Sequence, residues 1–331
     1  MPEGFGPIPG IKVGHAQDQA ALTGCTVLLF DPAAAYLGAT GIVAGCDVRG
    51  AATGTRELET VRPNHLVEVI HALVFSGGSA YGLDAACGVM RWCEEHSIGF
   101  DTGVARVPIV PAAILYDLQI GDARRRPDAS MGYAAAQAAS LKVAEGSVGA
   151  GCGATVGKFY GVERAMKSGI GCWTELVRGK QEEPVKVAAL VAMNAFGDVR
   201  DPETGKLIAG TRVARDSMAL LDTSRAIQQG NVVYWFPDTN TVLVAVATNA
   251  RLTRVEAQHV AMMASAGMAR TISPAHTQFD GDIAFALSLG NLGADVNAIG
   301  AAAAEAVVRA IVRSVKLAKG AGGVPGLAGA G

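Results

Sequence analysis

A threonine stands where an amide-cleaving nucleophile can be made. Pro237-Asp238-Thr239-Asn240 is a polar turn that runs directly into Thr241-Val242-Leu243-Val244-Ala245-Val246, an apolar stretch with strand character. A hydroxyl residue opening a buried strand, behind an Asn and a flexible segment, is what a self-cutting hydrolase needs. Its hydroxyl attacks the Asn240 carbonyl, an ester forms, and water releases a new chain that begins at Thr241. The freed α-amine, with an ordinary pKa near ~8, then acts as general base for its own hydroxyl. The competing reading is structural, since Asp-Thr-Asn is common turn chemistry.

Other residues of chemical interest are spread along the chain. Ser76-Gly77-Gly78-Ser79 separates an apolar β run, Val69–Phe75, from a helical pattern over Ala80–His96. A glycine turn at a helix N-terminus presents N–H groups to an anion or a developing oxyanion, and it would put the Tyr81 phenol in the first helical turn. Tyr81 reads equally as a packing residue. Gly146–Gly157 is dense in glycine and delivers Lys158, either a surface lysine or a buried cation that orients a nucleophile. The Walker pattern fails there, because Cys152 and Phe159 occupy positions it needs, and no acidic residue ends a second strand as a dinucleotide site requires. Asn194 ends an apolar run, Val185–Ala195, where its amide is an oxyanion donor or a turn former. Asp280 and Asp282 flank Gly281, as a turn, a metal pair or an acid–base pair.

The elements that must position these groups follow from pattern. Thr23–Phe30 and Gly41–Val48 read as strands around a turn at Asp31-Pro32, after a Gly/Pro-rich lead-in over Met1–Gly10. Gly50–Asn64 reads as a polar loop, and Val104–Leu118 is apolar and bounded by proline. Ala129–Ala144 reads as an Ala-rich helix, Met218–Gln228 as a short helical piece, Ile283–Leu289 as a strand and Asp295–Lys319 as a long helix. Thr253-Arg254-Val255-Glu256 is a capping box that starts a helix over Arg254–Thr271. The polar stretch ahead of Thr241 suits an exposed, cuttable linker. Residues 320–331 read as a flexible tail.

Composition narrows the partners. The chain has 331 residues, half of them apolar and only 5% aromatic, with 42 glycines, which predicts one compact domain with a core of small side chains. A formal charge of −2 offers no basic field for nucleic acid or an anionic membrane. The six cysteines show no zinc spacing, and most read as reduced core residues. The longest apolar runs, Val107–Tyr116 and Val185–Phe196, are too short to span a bilayer. Met1-Pro2-Glu3-Gly4 lacks the features of a secretory leader, so the expected location is the cytoplasm.

As an ordered set, the motifs resemble the L-aminopeptidase/D-esterase family, which includes β-peptidyl aminopeptidases and the nylon-oligomer endo-hydrolase. The resemblance is carried by Ile11-Lys12-Val13-Gly14-His15, Thr23-Gly24-Cys25-Thr26-Val27 and Asp47-Val48-Arg49-Gly50. It continues through Ser76-Gly77-Gly78-Ser79-Ala80-Tyr81-Gly82-Leu83-Asp84-Ala85, Gly149-Ala150-Gly151, Gly157-Lys158 and Asn194. His276-Thr277 and Asp280-Gly281-Asp282 complete it, so that it runs almost end to end. It implies an α+β fold, a four-layer αββα sandwich like that of N-terminal nucleophile hydrolases. The precursor would be cut between Asn240 and Thr241 into an α chain, 1–240, and a β chain, 241–331, which stay associated in a homo-oligomer, a tetramer. Thr241 would be the nucleophile and Asn194 a donor to the tetrahedral intermediate. Lys158 and Tyr81 would lie near the nucleophile, and Asp280 and Asp282 would orient it or the substrate amine, with no metal and no cofactor. The implied activity is that of an aminopeptidase on short peptides, β-peptides or amino-acid amides. Many relatives have Ser as nucleophile, and some have Ser and Glu at the two Asp positions. Asn-Thr and Asp-Gly-Asp are closer to the nylon-oligomer hydrolase. Acyl transfer of the ornithine acetyltransferase type, and an unprocessed relative without activity, remain as alternatives.

Overall fold

The computed structural model describes residue 5 and residues 8–31, 41–231 and 240–329. Most of the lead-in before Ile8, the turn beyond Asp31, residues 232–239 of the linker and the last two residues lie outside these. The principal elements begin with β1 (Ile11–Asp18), β2 (Thr23–Phe30), β3 (Val43–Val48), β4 (Thr55–Arg56), β5 (Ala72–Ser76), α1 (Ala85–Glu95), β6 (Ala112–Ile114) and α2 (Ala129–Gln137). They continue with β7 (Ile170–Val177), β8 (Val185–Asn194), α3 (Thr223–Gln228), β9 (Thr241–Ala250), α4 (Arg254–Thr271), β10 (Ile283–Leu292) and α5 (Val296–Lys316).

Two five-stranded sheets form, ordered β1-β2-β5-β6-β4 and β7-β8-β9-β10-β3. Strand alternation sorts the side chains into three apolar layers. Along β8, Val187, Ala189, Val191 and Met193 pack with Val260 and Ala264 of α4 and Val307 of α5. Ala188, Leu190 and Ala192 face the other way and meet Leu28, Leu73 and Phe75 of the first sheet. Val27 and Val74 on that sheet's outer face pack with Val89 of α1 and Ala135 of α2. The result is an α+β fold in four layers, αββα. Strands buried on both faces read as unbroken apolar runs rather than alternating ones, which is what Val187–Met193 and Val242–Ala247 are. Full burial of each Val or Leu contributes about 1.5–3 kcal/mol, so polar side chains are confined to strand ends or must have partners.

Several elements depart from the sequence expectation. The Ala80–His96 helix is divided: Ser79–Asp84 is a 3₁₀ turn and the α-helix begins only at Ala85. The tight turn lets Gly78 N–H reach Asp117 and Ser79 N–H reach the Leu115 carbonyl. α2 stops at Gln137, seven residues short of the expected Ala144, because Ser140 leaves the helical path to exchange backbone hydrogen bonds with Val13 on β1. The short helical piece starts at Thr223, where the Asp222 side chain accepts the Arg225 N–H. Residues 320–329 are not a loose tail. Gly320 N–H donates to the Gly329 carbonyl, Lys167 N–H donates to the Pro325 carbonyl, and Val324 is buried beside Leu22, Ile120 and Cys152. α4 has the expected limits, and its capping box is formed by Glu256 N–H to Thr253 Oγ1 at 3.2 Å and Thr253 N–H to Glu256 Oε2 at 2.8 Å. No helix among the described residues is long and apolar enough to cross a membrane.

Candidate active site

Thr241 is the first residue of β9, and its antiparallel partner across the ladder is Asn194, the last residue of β8. Directly opposed residues project to the same face of a sheet. Here that face is the one between the sheets, because Leu243 and Ala245 of β9 and Leu190 and Ala192 of β8 belong to the inter-sheet core. Both polar side chains are buried at its edge. The Thr241 hydroxyl donates to the Asn240 carbonyl oxygen at 2.6 Å, beside the carbon it would attack.

Asn194 is held from three sides. Its Oδ1 accepts from Lys158 Nζ at 2.7 Å and from Thr155 N–H at 3.1 Å, and its Nδ2 donates to the Tyr116 carbonyl at 2.9 Å. Two donors on one side and an acceptor on the other fix which end of the amide is oxygen. Lys158 is only 4% exposed, so its side chain is buried and not on the surface. It also donates to the Asn194 carbonyl at 3.3 Å. Gly157 makes this placement possible: its φ is +73°, and a Cβ there would lie 1.9 Å from the Gly210 backbone. Gly157 N–H and Lys158 N–H then bond the carbonyls of Gly197 and Phe196.

The two aspartates lie between β9 and β10, where the ladder passes from Asn240 to Ile283. Asp282 Oδ1 accepts the Val242 N–H at 2.8 Å, and Oδ2 accepts from His276 Nδ1 at 2.8 Å. Burial disfavours a charged His276, but the hydrogen bond to Asp282 and the charges of Asp282 and Asp280 outweigh it and raise its pKa. Asp280 Oδ2 accepts from Thr277 Oγ1 and Thr277 N–H, and Oδ1 accepts from Phe196 N–H at 3.2 Å. Burial, then the neighbouring Asp282 charge, pushes its pKa upward. Phe159, Phe196 and Phe279 pack together next to these groups and form an apolar wall on this side of the site. Charges against such a wall interact more strongly than in water.

Tyr81 is placed differently. It is 60% exposed, and the Arg126 guanidinium lies over its ring at 3.8 Å. Its 3₁₀ turn rests on Leu115, next to the Tyr116 carbonyl that holds Asn194, but among the described residues no hydrogen bond joins its phenol to the Thr241 cluster. The glycine turn before it is not an open anion site either. Gly77, Gly78 and Ser79 N–H groups bond Gly24 O, Asp117 Oδ1 and Leu115 O, so the turn anchors strands rather than a ligand. Gly149–Gly151 is likewise tied to Gln17 and Thr26 by the N–H groups of Gly149 and Ala150. The parts played by Tyr116 and Thr155 escaped sequence reading because each acts through its backbone. His276 and Thr277 carried a local signal, a polar pair just ahead of Asp280 and Asp282. Among the described residues no three His, Cys, Asp or Glu side chains gather as metal ligands.

A model of the family described as Peptidase family S58 matches residues 6–328. The chain belongs to peptidase family S58. Among its members, a protein named as an uncharacterized aminopeptidase of Mycobacterium tuberculosis is 37% identical over 352 residues, covering 96% of this chain and 95% of the relative. A 6-aminohexanoate-oligomer endohydrolase of a Kocuria species is 29% identical over 327 residues, covering 93% and 84%. The solved L-aminopeptidase D-Ala-esterase/amidase of Ochrobactrum anthropi, described as a variant of the Ntn hydrolase fold, superposes with a TM-score of 0.71 at 18% identity, covering 98% of this chain and 90% of that one. This S58 chain is a hydrolase of amide or peptide bonds.

Proposed function

We infer that this family S58 member is a self-processing aminopeptidase that cuts its own chain between Asn240 and Thr241 and then uses Thr241 as nucleophile. The observation that carries this reading is the buried Thr241 hydroxyl, 2.6 Å from the Asn240 carbonyl oxygen at the head of a strand whose opposing residue is Asn194. After cleavage the α-amine of Thr241, with a pKa near ~8, takes the proton as Oγ attacks the substrate amide carbon. Asn194 Nδ2 donates to the oxyanion, and Lys158 on Oδ1 polarises that amide and strengthens its N–H. The leaving amine takes the proton, and water hydrolyses the acyl-enzyme. Asp282, bonded to Val242 N–H, keeps the start of β9 in place. Tyr81 belongs to the rim of this site. The α and β chains stay associated and assemble into a homo-oligomer, a tetramer, in the cytoplasm.

Endo-hydrolysis of aminohexanoate oligomers is the second reading, favoured by the Asn240-Thr241 pair, the Asp280-Gly281-Asp282 run and the named activity of the Kocuria relative. Intact mass under denaturing conditions tests the processing: fragments of ~25 and ~9 kDa, the smaller beginning at Thr241, are expected from the wild type and absent from Thr241→Ala. One uncut species from both sinks the reading. Product lengths then separate the substrates, since single N-terminal residues released from peptides or amides mark the aminopeptidase and internal fragments of an oligomer mark the endo-hydrolase. Excess amine that diverts the acyl group would instead mark a transferase.

A further inference from the structure

Asn240 and Thr241 are flanked by β8 on one side and by the 280–282 segment leading into β10 on the other. Asn194 approaches from β8. From the opposite side, Gly281 N–H donates to the Asn240 carbonyl oxygen at 2.6 Å. That oxygen therefore has two donors, the hydroxyl that would attack its carbon and a backbone amide. The amide is rigidly held. Asn240 N–H bonds the Phe279 carbonyl, Ala52 N–H bonds the Asp280 carbonyl, and Arg49 and Gly50 N–H groups both bond the Asp282 carbonyl. The residue is glycine for a reason of space, because a Cβ at 281 would stand 2.7 Å from Thr241 Oγ1 and 2.7 Å from Ala52 O.

We propose that Gly281 N–H is the oxyanion donor of the self-cleavage step, separate from the Asn194 amide that serves substrate turnover. The proposal rests on the self-processing reading above. Thr241 Oγ bonds to the Asn240 carbon, and the negative charge that develops on Asn240 O is taken by Gly281 N–H. The C–N bond then breaks, the hydroxyl proton ends on the departing Thr241 nitrogen, and water hydrolyses the ester to an Asn240 carboxylate and a free Thr241 hydroxyl. A donor already bonded to the ground-state carbonyl and fixed by its neighbours needs no reorganisation as charge grows. Once the chain is cut, the acyl group on Thr241 comes from the substrate rather than from Asn240, and Gly281 is no longer required. The segment 49–52 that follows β3 thereby becomes the brace of this donor.

Replacing Gly281 with glycolic acid during cell-free synthesis of the full chain exchanges this one N–H for an ester oxygen and adds no side chain. Intact mass followed over time measures cutting. Activity per cut molecule measures turnover, and thermal unfolding of the same ester in a Thr241→Ala background, which stays uncut, measures folding. Cutting is expected to slow by ~100-fold, the size of effect for one lost oxyanion donor, with activity per cut molecule near wild type and the Thr241→Ala background still folded. Cutting within threefold of wild type overturns the proposal. So does a parallel loss of cutting and of activity per cut molecule, or an ester chain that does not fold. A wild type that is itself never cut is a different result: it removes the self-processing reading, and this proposal with it.

Discussion

At the scale of single residues, the site is a set of buried polar groups, each of which has a named partner. Lys158 is the clearest case. Its Nζ donates to Asn194 Oδ1 and to the Asn194 carbonyl, so under the proposed function it would act on the substrate through Asn194. Lys158→Met keeps the volume and removes the charge. We expect kcat and kcat/KM to fall together by ~10–100-fold, somewhat less than for loss of a donor outright, with KM little changed. Steady-state kinetics on any cleaved amide checks this, and a rise in KM at constant kcat would show that Lys158 binds substrate directly instead. That Thr241, Asn194, Lys158, Asp280 and Asp282 form one candidate site was legible in the sequence only as a set, since each has an ordinary structural reading alone. How they work was not legible. Asn194 is fixed by Tyr116 O and Thr155 N–H, backbone groups from remote segments that leave no trace in local pattern.

At the scale of elements, strands buried on both faces and the capped helix α4 were readable, because an unbroken apolar run and a capping box are local statements. The errors came where a distant segment decided the local outcome. α2 ends early to bridge β1, and the Ser76–Ser79 turn gives its N–H groups to Gly24, Leu115 and Asp117. α4 matters to the site because it links β9 to β10, the parallel pair whose N-terminal ends set Thr241 and Asp282 side by side. Thr253→Ala removes the side-chain half of its exposed capping box, the Oγ1 that accepts Glu256 N–H, and leaves the Thr253 N–H bond to Glu256. The expected result is a loss of about 1 kcal/mol in unfolding free energy, read from denaturant titration, with kcat unchanged. A loss of activity at unchanged stability would mean that the start of α4 touches the chemistry in a way its position does not suggest.

At the scale of the molecule, the fold buries acids whose ionisation it opposes. Asp117 lies between the Gly78 turn, Thr23 at the start of β2 and Gly153, and burial raises its pKa to about 6 despite bonds from Gly78 N–H and Thr23 Oγ1. Asp198 is raised to about 6 for the same leading reason. His15 and His71 are lowered to about 4, also by burial. The signs oppose one another. A raised acid holds its proton in the fold while the unfolded chain has released it, so its contribution declines as pH climbs from ~4 to ~6. A lowered histidine stays neutral in the fold while the unfolded chain takes up a proton, so its contribution grows across much the same interval. The wild-type profile is therefore flatter than either class alone would make it. Asp117→Asn removes one acid and keeps its hydrogen bonds, since Asn Oδ1 accepts from Gly78 N–H and its amide donates to the Thr23 hydroxyl. Relative to wild type, this variant should gain up to ~3 kcal/mol on going from pH 4 to pH 7, the free energy of a two-unit shift. Denaturant titrations of both proteins across that range check the slope. A difference that stays constant with pH would mean that Asp117 is already ionised throughout, held so by the buried Lys167 nearby.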